Sequence, residues 1–283
     1  MHHRLLFQKH PGTRHSFFCG IVTLLLLAAS PAAHASAIER ACPNDPKSIA
    51  HSSAQVAVPS EQPNALGYAP LIVIGFMGGH IHADNLVHKE AQLARNLLLH
   101  YPARVQSAVF ANHDGHAALE AVLRFLDQDR SGCLSTQEKQ DARIVIYGHS
   151  WGASETVTLA RRLNKLSIPV LLTVQVDSVQ KPHEDDASIP PNVHEAVNFY
   201  QAEGVLHGRS EIEAMDPSRT TILGNFASSY RHSPVSCSGY PWYARAFMRP
   251  HIEIENDPSV WSRIQALIAT RIDNPSTASS LAN

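Results

Sequence analysis

The feature that most constrains this chain is an apolar segment that runs directly into Gly-His-Ser-Trp-Gly, residues 148–152. Residues 143–147 (RIVIY) are rich in β-branched and aromatic types and predict a buried strand. Residues 153–166 carry leucines at helical spacing and predict a helix. A serine flanked by glycines at two positions before and after, between a strand and a helix, indicates a sharp turn that projects the serine beyond the sheet.

From Pro70 onward, predicted strands and helices alternate along the chain. Such alternation indicates an α/β fold with a mostly parallel sheet and helices on both of its faces. The last helix is predicted to start at Pro258, with Asp257 as its N-cap. The other predicted strands are residues 71–76, 104–111, 169–176, 193–200 and 221–226, and the other predicted helices are 86–100 and 117–126.

Ser150 needs partners if it is a nucleophile, because a serine hydroxyl is weakly nucleophilic until a base takes its proton. Asp177 directly follows the predicted strand 169–176, on the sheet edge where catalytic groups of α/β sheets gather, and we predict it as the acid. We predict His251 as the base, in a loop before the last helix. Alternative acids are Asp185, Asp186 and Asp216, and alternative bases are His194, His207 and His232.

An oxyanion in such a reaction needs backbone donors near the serine. One is expected from Trp151, at the start of the helix that follows the turn. The other is expected from Phe76 or Met77, in a glycine-containing loop after the first predicted strand.

The chain resembles the α/β-hydrolase superfamily, in particular its lipase and esterase branch, from about Pro70 to Ile272. The matching pieces are "LIVIGFMGG", "IVIYGHSWGAS", "LLTVQVDSV" and "PHIEIENDPSVW". An acid placed directly after the strand that follows the serine's helix is similar to pancreatic-type lipases. Where many members carry His-Gly before the oxyanion loop, this chain has Ile74-Gly75.

The resemblance implies a serine hydrolase that acts on small-molecule carboxylic esters or on lipids through an acyl-enzyme. A thioesterase or an amidase would use the same residues. A hypothesis of a different functional class is a non-catalytic calcium-binding protein on an α/β-hydrolase fold, because a fold alone does not determine a reaction. The aromatic residues near His251 either wall an acyl pocket or pack under a loop; they are Tyr240, Trp242, Tyr243 and Phe247.

Residues 127–138, "DQDRSGCLSTQE", resemble an EF-hand calcium loop. Oxygen donors fall at the positions of the loop that bind Ca²⁺, and Gly132 falls where the chain must turn sharply. A single loop without a partner suggests a structural ion rather than a sensor; the other reading is an acidic turn. The expected ligands are Asp127, Asp129, Ser131, the Cys133 carbonyl, Ser135 and Glu138.

The N-terminus predicts export. Residues 1–35 have basic residues, an apolar run and Ala33-His34-Ala35 as a cleavage site, which together indicate a signal peptide; an uncut membrane anchor is the alternative. Residues 36–68 are rich in Pro, Ser and Ala and predict an extended arm, and 69–283 form the hydrolase domain. We therefore expect a secreted or periplasmic protein with no stable membrane span after cleavage.

Composition fits a domain with a sizeable core, at 44% hydrophobic and 17% charged residues. Without the leader the chain has 20 basic and 25 acidic residues, a net charge of −5, and no basic block, so nucleic acid is not an expected partner. Three cysteines remain after cleavage. We favour a disulfide between Cys42 and Cys237, with Cys133 left as a loop residue.

Overall fold

The computed structural model describes residues 69–274, and the predicted signal peptide (1–35) and arm (36–68) lie outside them. Six strands form one parallel sheet in the order β2-β1-β3-β4-β6-β8, and β5 pairs with β7 in a separate two-stranded sheet. The strands are β1 (Leu71–Met77), β2 (Val105–Ala111), β3 (Ile144–His149), β4 (Val170–Val176), β5 (Ser188–Ile189), β6 (Val193–Gln201), β7 (Glu213–Ala214) and β8 (Thr221–Ser228).

Helices cover both faces of the six-stranded sheet. Alternate residues of β1 enter different cores: Ile72 packs with α2 and α4, whereas Val73 packs with α1 and α7. Both faces are therefore buried, which explains the continuous apolar strands. The helices are α1 (Lys89–His100), α2 (Gly115–Leu126), α3 (Thr136–Gln140), α4 (Trp151–Lys165), α5 (Trp242–Phe247), α6 (Arg249–Asn256) and α7 (Pro258–Asp273).

The predicted fold class is confirmed, and the elements predicted from sequence are present with ends shifted by at most three residues. The Asp257 cap is also present, since its carboxylate accepts from the Ser259 N–H at 2.8 Å. The prediction of a loop around His251 is wrong: His251 lies inside α6. The sequence around His251 did not show a helix because Glu253 and Glu255 look like solvent-facing residues. In the structure both are buried.

The cysteine prediction is also wrong where the structure can be compared with it. Cys133 is disulfide-bonded, whereas Cys237 is a free, buried thiol. Cys42 lies outside the described residues. Among residues 69–274, no helix is both long enough and apolar enough to cross a membrane.

Candidate active site

Ser150 occupies the turn between β3 and α4 in a conformation that ordinary residues avoid, with φ 57° and ψ −124°. Gly148 and Gly152 permit this turn, because a Cβ on Gly148 would lie 2.5 Å from the Gly152 carbonyl and a Cβ on Gly152 would overlap Phe76. The Ser150 N–H donates to the Val176 carbonyl at 2.9 Å. The turn is thus locked to β4, and its side chain extends past the sheet edge.

Ser150, His251 and Asp177 form one hydrogen-bonded chain. The Ser150 Oγ lies 2.9 Å from Nε2 of His251, and Nδ1 of His251 donates to Asp177 Oδ2 at 2.6 Å. The carboxylate can only accept, so the hydrogen of a neutral His251 sits on Nδ1 and Nε2 is left to accept from the serine. This arrangement can transfer a proton from the hydroxyl while the carboxylate stabilises the resulting imidazolium.

The Asp177 carboxylate is completely buried, but its lone pairs are well used. Besides His251, Oδ1 accepts from the backbone N–H groups of Gln201 (3.1 Å) and Gly208 (2.8 Å), and Oδ2 accepts from Gln201 Nε2 (2.8 Å). Asp177 itself has a positive φ of 44°. A non-glycine residue held there by several donors is typical of a functional site.

The expected oxyanion donors lie at the junction of β1 and α4. Trp151 is the first residue of α4, so its backbone N–H is among those a helix leaves unpaired. Phe76 and Met77 are the last residues of β1 rather than part of a loop. Gly78 comes next, and a Cβ on it would lie 3.2 Å from the Ser150 Cβ. The strand end therefore lies beside the serine.

Asn112 holds this strand end in place. Its Nδ2 lies 3.3 Å from the Met77 carbonyl and also donates to the Gly79 carbonyl. The loop beyond is further fixed by an edge-to-face contact between the His80 and Trp151 rings, whose centroids are 5.6 Å apart.

The alternative acids and bases have other roles. Asp186 accepts from Ser178 and Arg209, Asp185 from Arg161 and the Ala187 N–H, and Asp216 caps a turn through Ser218. His207 contacts the Gly208 carbonyl, and His194 is in β6. His232 lies in the bend after β8.

A second group of ionisable side chains lies directly behind the triad, and we call it the buried cluster: His88, Glu90, His149 and Glu255. Burial raises the pKa of the Glu90 carboxyl well above its ordinary value and that of Glu255 to about 7. Burial also lowers the pKa of His149 well below its ordinary value. Each shift has the same cause, the loss of water around the charged form.

The acidic loop 127–138 closes on itself. The Asp127 carboxylate accepts from the N–H groups of Ser131 (2.9 Å) and Gly132 (3.0 Å), and Gly132 has φ 79°. Carboxylate oxygens of Asp127, Asp129 and Glu138 lie within 4.8 Å of one another. The exit helix α3 has five residues.

The serines of the loop form hydrogen bonds within it. Ser135 is the N-cap of α3, and its Oγ donates to Glu138 Oε2 at 2.8 Å. The Ser131 Oγ donates to the Cys133 carbonyl at 3.0 Å. The disulfide of Cys133 does not occupy that carbonyl, which is the only atom the loop requires from it.

Three neighbours of the site were missed from sequence: Gln201, Gly208 and Asn112. Gln201 ends a strand at the same sheet edge as Asp177, which was the available signal. Of the aromatic residues near His251, Tyr240 is buried, whereas Trp242, Tyr243 and Phe247 are exposed on α5. The hypothesis that these aromatic residues pack under a loop is therefore wrong for Trp242, Tyr243 and Phe247.

The sequence matches no protein-family model and no curated protein. Among solved structures, this chain is similar to an esterase of the archaeon Pyrobaculum calidifontis, with 11% identity, 74% of this chain and 78% of the other covered, and a TM-score of 0.40. It is also similar to human thioesterase 2, with 11% identity, coverage of 74% and 98%, and a TM-score of 0.37.

A cutinase-like protein from Cryptococcus sp. is similar at 10% identity, with 72% of this chain and 96% of that protein covered and a TM-score of 0.37. Similarity at this level leaves the reaction of the present chain to be argued from its own residues.

Proposed function

We propose that this chain is an exported serine hydrolase that cleaves carboxylic esters through an acyl-enzyme on Ser150. The observation that carries the proposal is the unbroken hydrogen-bonded chain from Ser150 through His251 to Asp177. These residues come from the turn after β3, from α6 and from the position just after β4, so a chance alignment would need three separate parts of the chain to agree.

The first half of the reaction forms the acyl-enzyme. The Ser150 oxygen attacks the ester carbonyl carbon while its proton moves to Nε2 of His251. Negative charge develops on the carbonyl oxygen, where the Trp151 N–H and an N–H from the end of β1 at Phe76 or Met77 would donate. The C–O bond to the alcohol then breaks, and the alcohol leaves with the proton from His251.

The second half returns the enzyme to its starting state. Water loses a proton to His251 and attacks the acyl carbon, and the carboxylic acid leaves as Ser150 regains its proton. Asp177 holds the imidazole in place throughout. Ser150 and His251 are both nearly buried, which keeps bulk water away from these charges.

The decisive experiment replaces the nucleophile. Ser150→Ala should abolish hydrolysis of a short-chain nitrophenyl ester and labelling by a fluorophosphonate probe, with an unchanged circular dichroism spectrum. Ser154→Ala is the matched control, because this buried serine one turn along α4 contacts Glu184 rather than the triad. Labelling of Ser150→Ala at the wild-type rate would reject the proposal, and an unlabelled wild-type protein would favour the non-catalytic calcium-binding protein.

We further propose that residues 127–138 bind a structural Ca²⁺. The convergence of the carboxylates of Asp127, Asp129 and Glu138, together with the positive φ of Gly132, supports the fit. Hard oxygen donors at these positions suit calcium. The ion would tie the end of α2 to the start of α3, away from the triad.

The last part of the proposal concerns location. Export to the periplasm or the medium would bring the loop to millimolar calcium, where weak extracellular sites are filled. Fractionation of cells that make the full chain, with N-terminal sequencing, tests this. A mature protein that begins at Ser36 is expected, and a cytoplasmic protein that keeps residues 1–35 would reject export.

A further inference from the structure

The buried cluster gathers four ligand-type side chains from three separate elements. His88 and Glu90 lie at the start of α1, His149 ends β3, and Glu255 lies in α6. Their exposed fractions are 7%, 0%, 3% and 1%, so none of the four can rely on water for solvation. The proposed hydrolytic mechanism uses none of them.

The donor atoms of His88, Glu90 and Glu255 converge on one small volume, and His149 faces the two carboxylates from one side. His149 Nδ1 lies 3.3 Å from Glu255 Oε2 and 4.0 Å from Glu90 Oε1. His88 Nδ1 lies 2.5 Å from Glu255 Oε1, and the donor atoms of His88, Glu90 and Glu255 all lie within 4.8 Å of one another. Ligands at tetrahedral zinc, with bonds of about 2.1 Å, are about 3.4 Å apart.

Glu90 carries the clearest signal. Its carboxylate is completely buried, and neither oxygen meets a hydrogen-bond donor among the described residues. Within the same part of the chain, no lysine or arginine forms an ion pair with Glu90 or Glu255. Two buried carboxylates side by side either share protons or need a compensating positive charge.

The hydrogen bonding of His149 points its free nitrogen at these carboxylates. His149 Nε2 lies 3.1 Å from the His251 carbonyl oxygen, which can only accept, so Nε2 carries the hydrogen. In the neutral ring, Nδ1 then presents a lone pair toward Glu255 and Glu90. Ring nitrogens of metal-bound histidines are oriented in this way, by a backbone carbonyl on the other nitrogen.

We propose that His88, Glu90 and Glu255 bind one divalent first-row transition-metal ion, with His149 completing the set from the side of the two carboxylates. Zinc is the ion that two imidazoles and two carboxylates suit best. The doubly positive ion balances the two carboxylates. Four protein ligands in a closed site indicate a structural ion rather than a catalytic one. Tyr240 closes one side, with its hydroxyl 3.4 Å from His88 Nδ1.

The ion would position α6. Glu255 and His251 lie four residues apart on that helix, and His149 touches the His251 carbonyl, so the ion fixes the helix against β3 and α1. His88, Glu90 and Glu255 are therefore positioning residues for His251. This consequence rests on the proposed hydrolase function, whereas zinc binding itself does not.

The test measures metal rather than hydrolysis. Full-length protein is stripped of metal, equilibrated with zinc under a competing chelator and analysed by mass spectrometry of the elements. Wild type should hold one zinc more per chain than Glu90→Gln or His88→Gln. Glu138→Gln, in the loop proposed for calcium, is the control and should keep the zinc.

Cobalt(II) and melting provide a second readout that does not depend on hydrolysis. Cobalt in the wild type should give the intense visible absorption of a four-coordinate ion, and Glu90→Gln should lose it. Zinc should raise the melting temperature of the wild type by several degrees more than that of Glu90→Gln. Equal zinc content in all variants would overturn the site. A wild type that binds no zinc and melts unchanged with zinc would also overturn it, and would indicate that the two carboxylates share protons instead.

Discussion

Gln201 donates twice to Asp177, once from its backbone N–H at 3.1 Å and once from its side-chain Nε2 at 2.8 Å. Gln201 ends β6, the strand next to the one that carries Asp177. Adjacent strands of the sheet thus fix the carboxylate before it meets His251. The acid is held by the same framework that holds the nucleophile.

Gln201→Leu should therefore lower kcat about 10- to 100-fold with little change in KM, because the freed carboxylate no longer orients His251. The steady-state rate of ester hydrolysis measures this. Asn192→Leu removes a similar buried amide, which donates to Ala160 and Ile168 away from the triad. That control should lose stability but keep kcat, and an equal loss of kcat in both variants would argue against positioning by Gln201.

Gly208 allows a close approach to the same aspartate. A Cβ at this position would overlap the Asp177 backbone and lie 2.6 Å from its Oδ1. Gly208→Ala should displace the carboxylate and lower kcat/KM by about 100-fold. Gly239→Ala meets only the end of the half-exposed Val87 side chain and should keep wild-type kinetics. Normal turnover by Gly208→Ala would show that the acid tolerates displacement.

The strain at Ser150 can be measured as stability. Its φ of 57° with ψ of −124° favours glycine, so Ser150→Gly should be more stable than Ser150→Ala by about 1 kcal/mol. The same pair of substitutions at Ser154, inside α4, should give the opposite sign, since glycine costs about 1 kcal/mol relative to alanine in a helix. Urea unfolding of the four variants measures both differences. Equal signs at the two positions would contradict a strained turn.

Calcium should raise the melting temperature if residues 127–138 bind it. Occupancy at 10 to 100 times the dissociation constant adds about 1.4 to 2.7 kcal/mol, which corresponds to about 3 to 10 °C for a domain of this size. Glu138→Gln should remove the shift, whereas Asp141→Asn, just beyond the loop, should keep it. A wild type that melts identically with calcium and with chelator would leave the loop as an acidic turn.

The thiol of Cys237 should be unreactive at neutral pH. Burial raises its pKa to about 11, so at pH 8 its thiolate fraction is about two orders of magnitude below that of a free cysteine. Alkylation of the Cys237 peptide, followed by mass spectrometry, should accelerate tenfold per pH unit from 7 to 10 and should be fast at pH 8 in urea.

The same shift makes stability depend on pH. The unfolded thiol loses its proton near pH 8.5 while the folded thiol keeps its own until about 11. The protein should therefore become less stable as pH rises between these values. In the alkylation experiment, a rate for the folded protein that levels off near pH 8.5 would contradict the burial of this thiol.

Local patterns predicted the sheet because its strands are buried on both faces and read as continuous apolar runs. The serine turn was also readable, since the two glycines and the flanking elements are adjacent in sequence. Helix α6 could not be predicted, because the alternation in "HIEIE" resembles a loop or a strand. In addition, Glu255 is buried among partners from α1 and β3. Side chains that are held by distant partners cannot be identified from their own neighbourhood.

The bonding state of the cysteines and the buried cluster could not be predicted from sequence, for the same reason. Nothing near Cys237 in sequence distinguishes a free buried thiol from a bridged one. His88 and Glu90 are separated from Glu255 by more than 160 residues, and only the packing of α6 brings them together.

The base of the triad lies 101 residues after the nucleophile. During synthesis, Ser150 and the strands around it leave the ribosome well before α6 exists. A chain interrupted anywhere in that interval has the projecting alcohol but no imidazole to take its proton. In the proposed mechanism, reactivity therefore arrives only with the last segments of the domain, and partly made chains should be inert toward the esters of the cell that produces them.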